Sequence, residues 1–227
     1  MISDAHTNSQ VTHSNEQTRR NYDRLSPIYD LLTGRFEQKF NRRLLDLLHI
    51  AEAETILEIG FGTGHSLLRA AQLVGEKGKV YGIDLSPRML AASQRRLEQA
   101  GLWDRLELTC ADATRLPYPA NMFDAVYMSF TLELFDNPEM SMLLAGTRHV
   151  LKRGGRLGVL SMSKGSDPTV LMSIYSWLNK IFPQIIDCRP IDVEQSIQEA
   201  GFGIQFQEQL NLSGLPAEIV IGQKEYA

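Results

Sequence analysis

Three glycines alternate at Gly60, Gly62 and Gly64, directly after an apolar run that closes on Glu58 and Ile59. Glycines at that spacing let a backbone turn with positive φ and approach a ligand closely. Two further acids hold comparable positions. Asp84 ends the next apolar run, 20 residues after Gly64, and Asp112 follows the third, in "CADATRLP". In dinucleotide-binding proteins an acid about 20 residues beyond a glycine turn grips the ribose hydroxyls. Their glycines, however, are spaced G-x-G-x-x-G, whereas here the pattern is G-x-G-x-G, position 65 is His and the next glycine is Gly75. A carboxylate at Glu58 is awkward beside a pyrophosphate but suits an amine-bearing ligand, and Asp112 can accept a hydrogen bond from an exocyclic amine. Hydride-transfer machinery is missing, since the nearest approach to a Tyr-x-x-x-Lys pair is Tyr175 with Asn179. Three acids at successive run ends describe a site for a positively charged nucleoside.

Such a site needs strands that end together and helices that cover them. Strand-like apolar runs occur at 55–59, 79–84, 106–110, 123–130 and 156–162, and helical patterns at 66–74, 87–100 and 138–151 separate most of them. Ser86-Pro87 is an N-cap followed by proline at the first helical position. Ala100-Gly101 and Arg153-Gly154-Gly155 mark exits. Strands alternating with helices predict βαβ units and a parallel sheet covered on both faces. The end of the chain differs: "PIDVEQSIQEAGF" reads as a short helix closed by glycine. "GIQFQEQLNLSGLPAEIVIGQKE" then gives two strand-like runs with an interruption too long for a tight hairpin. Residues 1–15 read as a disordered polar lead-in. Residues 16–50 read as an N-terminal helical cap broken near Thr33-Gly34, in whose second part Phe36, Phe40, Leu44, Leu45 and Leu48 recur at helical spacing. The remaining 51–227 form one domain with an insertion at 164–190.

"LEIGFGTG", "GIDLSPRMLAASQ", "ADATRLPYPANMFDAVYMSF" and "HVLKRGGRLGVL" resemble, in order and spacing, the successive motifs of class I S-adenosylmethionine-dependent methyltransferases. The resemblance runs from about Thr55 to Met162. It implies a Rossmann-like α/β fold: a seven-stranded, mostly parallel sheet with helices on both faces and an antiparallel C-terminal strand. It implies S-adenosyl-L-methionine as cofactor, with Gly60, Phe61, Gly62 and Gly64 forming the loop beneath its methionine part and Glu58 supporting that loop and the amino group. By the same resemblance Asp84 takes the ribose hydroxyls, Leu85 and Met89 flank the adenine, and Asp112 accepts from the adenine amine with Ala113 beside it. Ser129 and Phe130 close the fourth strand next to the transferable methyl. Met89 also reads as plain core, since methionine fills gaps.

Catalytic candidates are Tyr22 and Tyr29 in "YDRLSPIYD", because related methyltransferases fold a similar segment over the cofactor, and Glu133 in "FTLELF". His65 starts a helix beside the crevice, and His149 reads as packing. Within the family the general look is nearest to the ubiquinone/menaquinone-biosynthesis methyltransferases. That group continues Tyr-Asp with Met-Asn and carries an acid after its "KPGG" strand; here the run is "YDLLTGRFEQKFNR" and Ser161 stands in the acid's place. Small phospholipid N-methyltransferases begin with similar segments. The expected acceptor is therefore a small, possibly lipid-like molecule; a cofactor-binding module without turnover is the non-enzyme alternative.

Bulk properties agree with one α/β domain. The chain has 227 residues, 43% of them apolar and 22% charged, with net charge −4. That balance argues against a general nucleic-acid binder. Cys110 and Cys188 lie far apart with no Cys/His neighbours, so no metal site is expected. Cys110, at the end of an apolar run, is expected to be a buried small hydrophobe. The polar start lacks a signal peptide's basic and apolar regions and no apolar run approaches the roughly 20 residues of a membrane span, so a cytoplasmic protein with at most peripheral membrane contact is expected.

Overall fold

A computed structural model describes residues 34–163, 191–212 and 215–225. The elements in chain order are α1 (Gly34–Leu47), β1 (Thr55–Ile59), α2 (His65–Val74), β2 (Lys79–Asp84), α3 (Pro87–Gln99), β3 (Leu106–Cys110), β4 (Phe123–Ser129), α4 (Asn137–Val150), β5 (Leu151–Met162), α5 (Val193–Glu199), β6 (Phe202–Leu212) and β7 (Leu215–Lys224). Tyr22, Tyr29, Cys188 and the insertion at 164–190 lie outside the described residues. No helix among the described residues is long and apolar enough to cross a membrane.

The seven strands run in the order β3-β2-β1-β4-β5-β7-β6. β1 to β5 pair in parallel, and β7 is antiparallel to both of its neighbours. This is the expected Rossmann-like sheet. Its strands are apolar on both faces because both are covered. Ile56, Val80, Ala125, Tyr127 and Leu160 pack in one core with Leu44 and Leu45 of α1, Leu67, Ala70 and Ala71 of α2, and Met89 and Leu97 of α3. Leu57, Ile59, Val126, Met128 and Val159 pack in a second core with Leu143 and Leu144 of α4 and Val193 and Ile197 of α5. Gly158 lets α1 sit close on β5: a Cβ there would come within 2.9–3.0 Å of the Leu44 and Leu48 methyls.

Local signals set the helix starts. The Ser86 hydroxyl accepts the Met89 N–H at 3.2 Å with Pro87 just inside α3. Asp136 and Glu139 form a reciprocal capping box at the head of α4. Asp192 caps α5 by accepting the Gln195 N–H at 3.0 Å.

Three expectations are corrected. β5 starts at Leu151, straight after α4, rather than at Arg156, and the extra length is absorbed by a register shift between Phe123 and Ala125 of β4. β6 and β7 pair as far as Leu212↔Leu215, so only two residues separate them. Pro216 sits at the start of β7, where its carbonyl accepts the Ser163 N–H at 3.1 Å. Cys110 is exposed, not buried. It is the last residue of β3, an edge strand of the described sheet, and its thiol reaches the Leu85 carbonyl at 3.5 Å.

Candidate cofactor site

From β1 the chain builds outward through β2 and β3, then returns to place β4 and β5 on the other side of β1. The order reverses between β1 and β4, and the crevice beyond the carboxyl ends of those strands is where open α/β sheets bind ligands. Glu58 and the glycine loop lie at the end of β1, Asp84 at the end of β2, Asp112 just beyond β3 and Ser129 at the end of β4.

Gly60, Gly62 and Gly64 have φ of 75°, 51° and 81°, the left-handed region in which a side chain is strained. Space divides their roles. A Cβ on Gly60 would lie 2.3 Å from the Thr131 hydroxyl oxygen, and one on Gly64 2.7 Å from that of Ser93. Among the described residues, a Cβ on Gly62 would meet nothing within 4 Å. Gly60 and Gly64 therefore permit close packing, while Gly62 faces open space. The loop is braced from several sides. Gly60 N–H donates to the Ile83 carbonyl at 2.8 Å, Gly64 N–H to the Phe61 carbonyl at 2.9 Å, and the Ser93 hydroxyl to the Gly62 carbonyl at 2.8 Å. The Arg96 guanidinium donates to the Thr63 carbonyl.

The acids differ in their surroundings. Asp84, partly buried at the end of β2, accepts the Gly62 and Ser86 N–H groups, each at 2.9 Å. Burial outweighs those donors and lifts its pKa to about 6. Asp112 is partly buried and accepts both the N–H and the hydroxyl of Thr114, at 2.9 and 2.8 Å, starting the short turn Ala113–Arg115. Glu58 is 1% exposed. The Ser66 hydroxyl donates to one of its oxygens and the Tyr127 hydroxyl to the other at 2.8 Å. Burial is the main cause of a pKa pushed up to about 7, against the two hydroxyl donors and with a small addition from the Asp84 charge.

Of the apolar candidates, Phe61, Met89 and Ala113 are buried and Leu85 and Phe130 partly so. The Phe61 ring lies over Gly82, whose missing Cβ makes room for it. On the β4 side, the Ser129 hydroxyl donates to the Asn41 side-chain oxygen of α1. Phe130 is held at φ 50° while its N–H donates to the Leu160 carbonyl at 2.7 Å. A strained non-glycine residue at a strand end is a recurrent mark of ligand-binding sites. Glu133 is 4% exposed in the turn Leu132–Leu134 and accepts the Met162 N–H at 3.4 Å. The His65 ring meets the Gln38 amide at 3.2 Å, and His149 is exposed.

Sequence reasoning passed over Tyr127, Ser66, Asn41, Ser93 and Thr131. Tyr127 carried a usable signal: a tyrosine on the buried face of a central strand must find a partner for its hydroxyl, and the only acid on the neighbouring strand is Glu58. For Asn41, 88 residues from Ser129, no local signal existed.

Residues 56–155 match a family model described as a methyltransferase domain. The ubiquinone/menaquinone biosynthesis C-methyltransferase UbiE of Azotobacter vinelandii is 35% identical over 138 residues, which make up 61% of this chain and 54% of that protein. UbiE of Hahella chejuensis is 30% identical over 164 residues, 70% of this chain and 65% of that protein. Among solved structures, a SAM-dependent methyltransferase from Aquifex aeolicus superposes with a TM-score of 0.67 at 22% identity, over 89% of this chain and 98% of that one.

Residues 56–155 are thus similar to a methyltransferase domain, and the sheet has the fold of an S-adenosylmethionine-dependent methyltransferase. Its crevice suits that cofactor: the Gly62 N–H ties the glycine loop to the partly buried carboxylate at the end of β2, with open space among the described residues over Gly62. The chain also superposes on the cyclase SpnF, with a TM-score of 0.79 at 19% identity over 95% of this chain and 98% of that one. The fold alone therefore does not name a reaction. The chain spans between 54% and 65% of the length of these UbiE relatives.

Proposed function

We propose that the chain transfers a methyl group from S-adenosylmethionine to a small, lipid-like acceptor. The observation that carries this reading is the Gly62–Asp84 contact at the switch point of the sheet: the loop that turns beneath the ligand is tied to the acid that would hold the ribose. When bound, S-adenosylmethionine supplies a methyl on a sulfonium leaving group, so transfer is an in-line displacement governed by proximity and orientation, worth roughly 7–11 kcal/mol. In this reading the chain's residues mainly orient. Asp84 and Asp112 fix the nucleoside, with Leu85, Met89 and Ala113 along the base. The glycine loop with Phe61 carries the methionine part. Ser129 and Phe130 border the path along which the acceptor's electron pair meets the methyl carbon. Glu133, in the turn after β4, would be the carboxylate to take a departing acceptor proton, and an aromatic face from Tyr22 or Tyr29 would receive the sulfonium charge.

The names of the UbiE relatives favour a second acceptor, a quinone precursor methylated at carbon. A phospholipid or small amine methylated at nitrogen fits the same reading. A lipid acceptor calls for peripheral membrane contact and not for a membrane span. The test is methyl transfer from isotopically labelled cofactor into a cell extract, divided afterwards into organic and aqueous phases. Label in the organic phase supports a lipid or quinone acceptor, and its mobility separates the two. Label confined to the aqueous phase sinks the lipid reading. Cofactor binding without transfer to either phase turns the reading to a binding module.

A further inference from the structure

Glu58 is read above as a support for the cofactor, yet both its oxygens are taken from inside the protein. Tyr127 lies directly across from it in the β1–β4 register and on the same face of the sheet. Tyr127 is fully buried, and burial with the adjacent Glu58 charge holds its hydroxyl well above the ordinary tyrosine range, so it stays protonated and donates. Ser66, 7% exposed in the first turn of α2, donates to the other oxygen. The three groups link β4, β1 and α2 at the end of the sheet where the glycine loop begins. No ion-pair partner reaches Glu58 among the described residues. The two hydroxyls are thus what fixes the carboxyl group's orientation.

We infer that Tyr127 is a positioning residue for the cofactor: acting through Glu58 and with Ser66, it sets the geometry of the glycine loop and of the first turn of α2. This rests on the cofactor reading of the crevice. The ring itself is core, packed with Ala125 and Leu160. The hydroxyl is the part the core does not need, because a phenylalanine would fill the same volume. A tyrosine serving only packing would be dispensable at that oxygen. One serving the loop would not.

The experiment is titration calorimetry of S-adenosylmethionine against the full chain, for the unaltered protein, Tyr127→Phe, Glu58→Gln and the double variant, with urea unfolding of each beside it. Tyr127→Phe is expected to weaken binding about tenfold, the scale of losing one hydrogen bond to a charged or polarised group. In the Glu58→Gln background the same change is expected to cost less than twofold, because a residue acting through Glu58 loses its effect once Glu58 is altered. Ser66→Ala, which removes the opposite donor, is expected to weaken binding in the same manner and serves where Tyr127→Phe fails to fold. A Tyr127→Phe variant that unfolds at lower urea but binds with unchanged affinity would overturn the inference. So would equal losses in both backgrounds. Absence of binding by the unaltered protein would instead sink the cofactor reading, and this inference with it.

Discussion

The buried carboxyl of Glu58 makes the stability of the domain depend on pH in a direction opposite to that of an ordinary ion-paired acid. A glutamate ionises near 4.5 when solvated, and in the folded chain burial moves this to about 7. Between those values the folded state still holds the proton that the unfolded state has released. Stability therefore falls as pH rises through this window, and the loss is complete above pH 7. The penalty works out at about 0.8 kcal/mol at pH 5 and about 3.3 kcal/mol at pH 8, taking 1.36 kcal/mol for each pKa unit. Glu58→Gln keeps the shape, offers an oxygen to Ser66 and cannot ionise. Urea unfolding at pH 5, 6, 7 and 8 should show the variant gaining about 2.5 kcal/mol on the wild type from the lowest pH to the highest. Other titrating groups, Asp84 among them, are present in both proteins and largely cancel in the difference. A difference that stays flat across the series would refute the reasoning, since Glu58 would then ionise alike in the folded and unfolded chains.

Asp84→Asn should weaken S-adenosylmethionine binding by roughly ten- to a hundredfold, the range of a hydrogen bond to a charged group, with the fold retained by circular dichroism; a cooperative loss of structure would mean the acid is structural. Asp84 is itself lifted to about 6, so wild-type affinity measured by calorimetry should rise with pH as that carboxyl ionises. Gly60→Ala should destabilise by about 2–3 kcal/mol, because left-handed strain adds to a clash with Thr131. Gly62→Ala should cost only about 1 kcal/mol in unfolding experiments and lose cofactor affinity instead, its methyl entering open space. Asn41→Ala, releasing Ser129, should cost about 1 kcal/mol in urea and leave cofactor affinity within twofold.

Much of the frame was legible because it is written locally. Ser86-Pro87 announces α3, and three short apolar runs match β1, β2 and β3 end for end. The errors arose where tertiary context overrules a local cue. Cys110 belongs to an apolar run, but β3 is an edge and its last residue faces outward. The interruption between the last two strand-like runs reads as too long for a tight hairpin, yet those strands pair as far as Leu212↔Leu215, with Pro216 near the start of β7, where a proline is tolerated. Arg153-Gly154-Gly155 reads as a helix exit, whereas the strand has already begun at Leu151.

The same contrast separates the two halves of the site. The proposed cofactor half is built from a single turn and the ends of neighbouring strands, so the glycines and Asp84 stand within 25 residues of one another and the spacing itself carries information. The other half is assembled across the chain. Ser129 is met by Asn41 from 88 positions away, Thr131 packs on Gly60, and Glu133 reaches the backbone of Met162. None of these contacts leaves a periodic trace in the sequence. SpnF shows that a very similar frame can belong to a cyclase. Chemistry specific to this chain must then be sought where the spacing is silent, in α1 and in the turn after β4. Exchanges at Asn41, Phe130 and Glu133 should alter which acceptors take label in the phase-partition assay, while cofactor affinity stays within a few-fold of wild type. A set of exchanges there that changed cofactor binding and left acceptor choice untouched would place the selecting surface elsewhere.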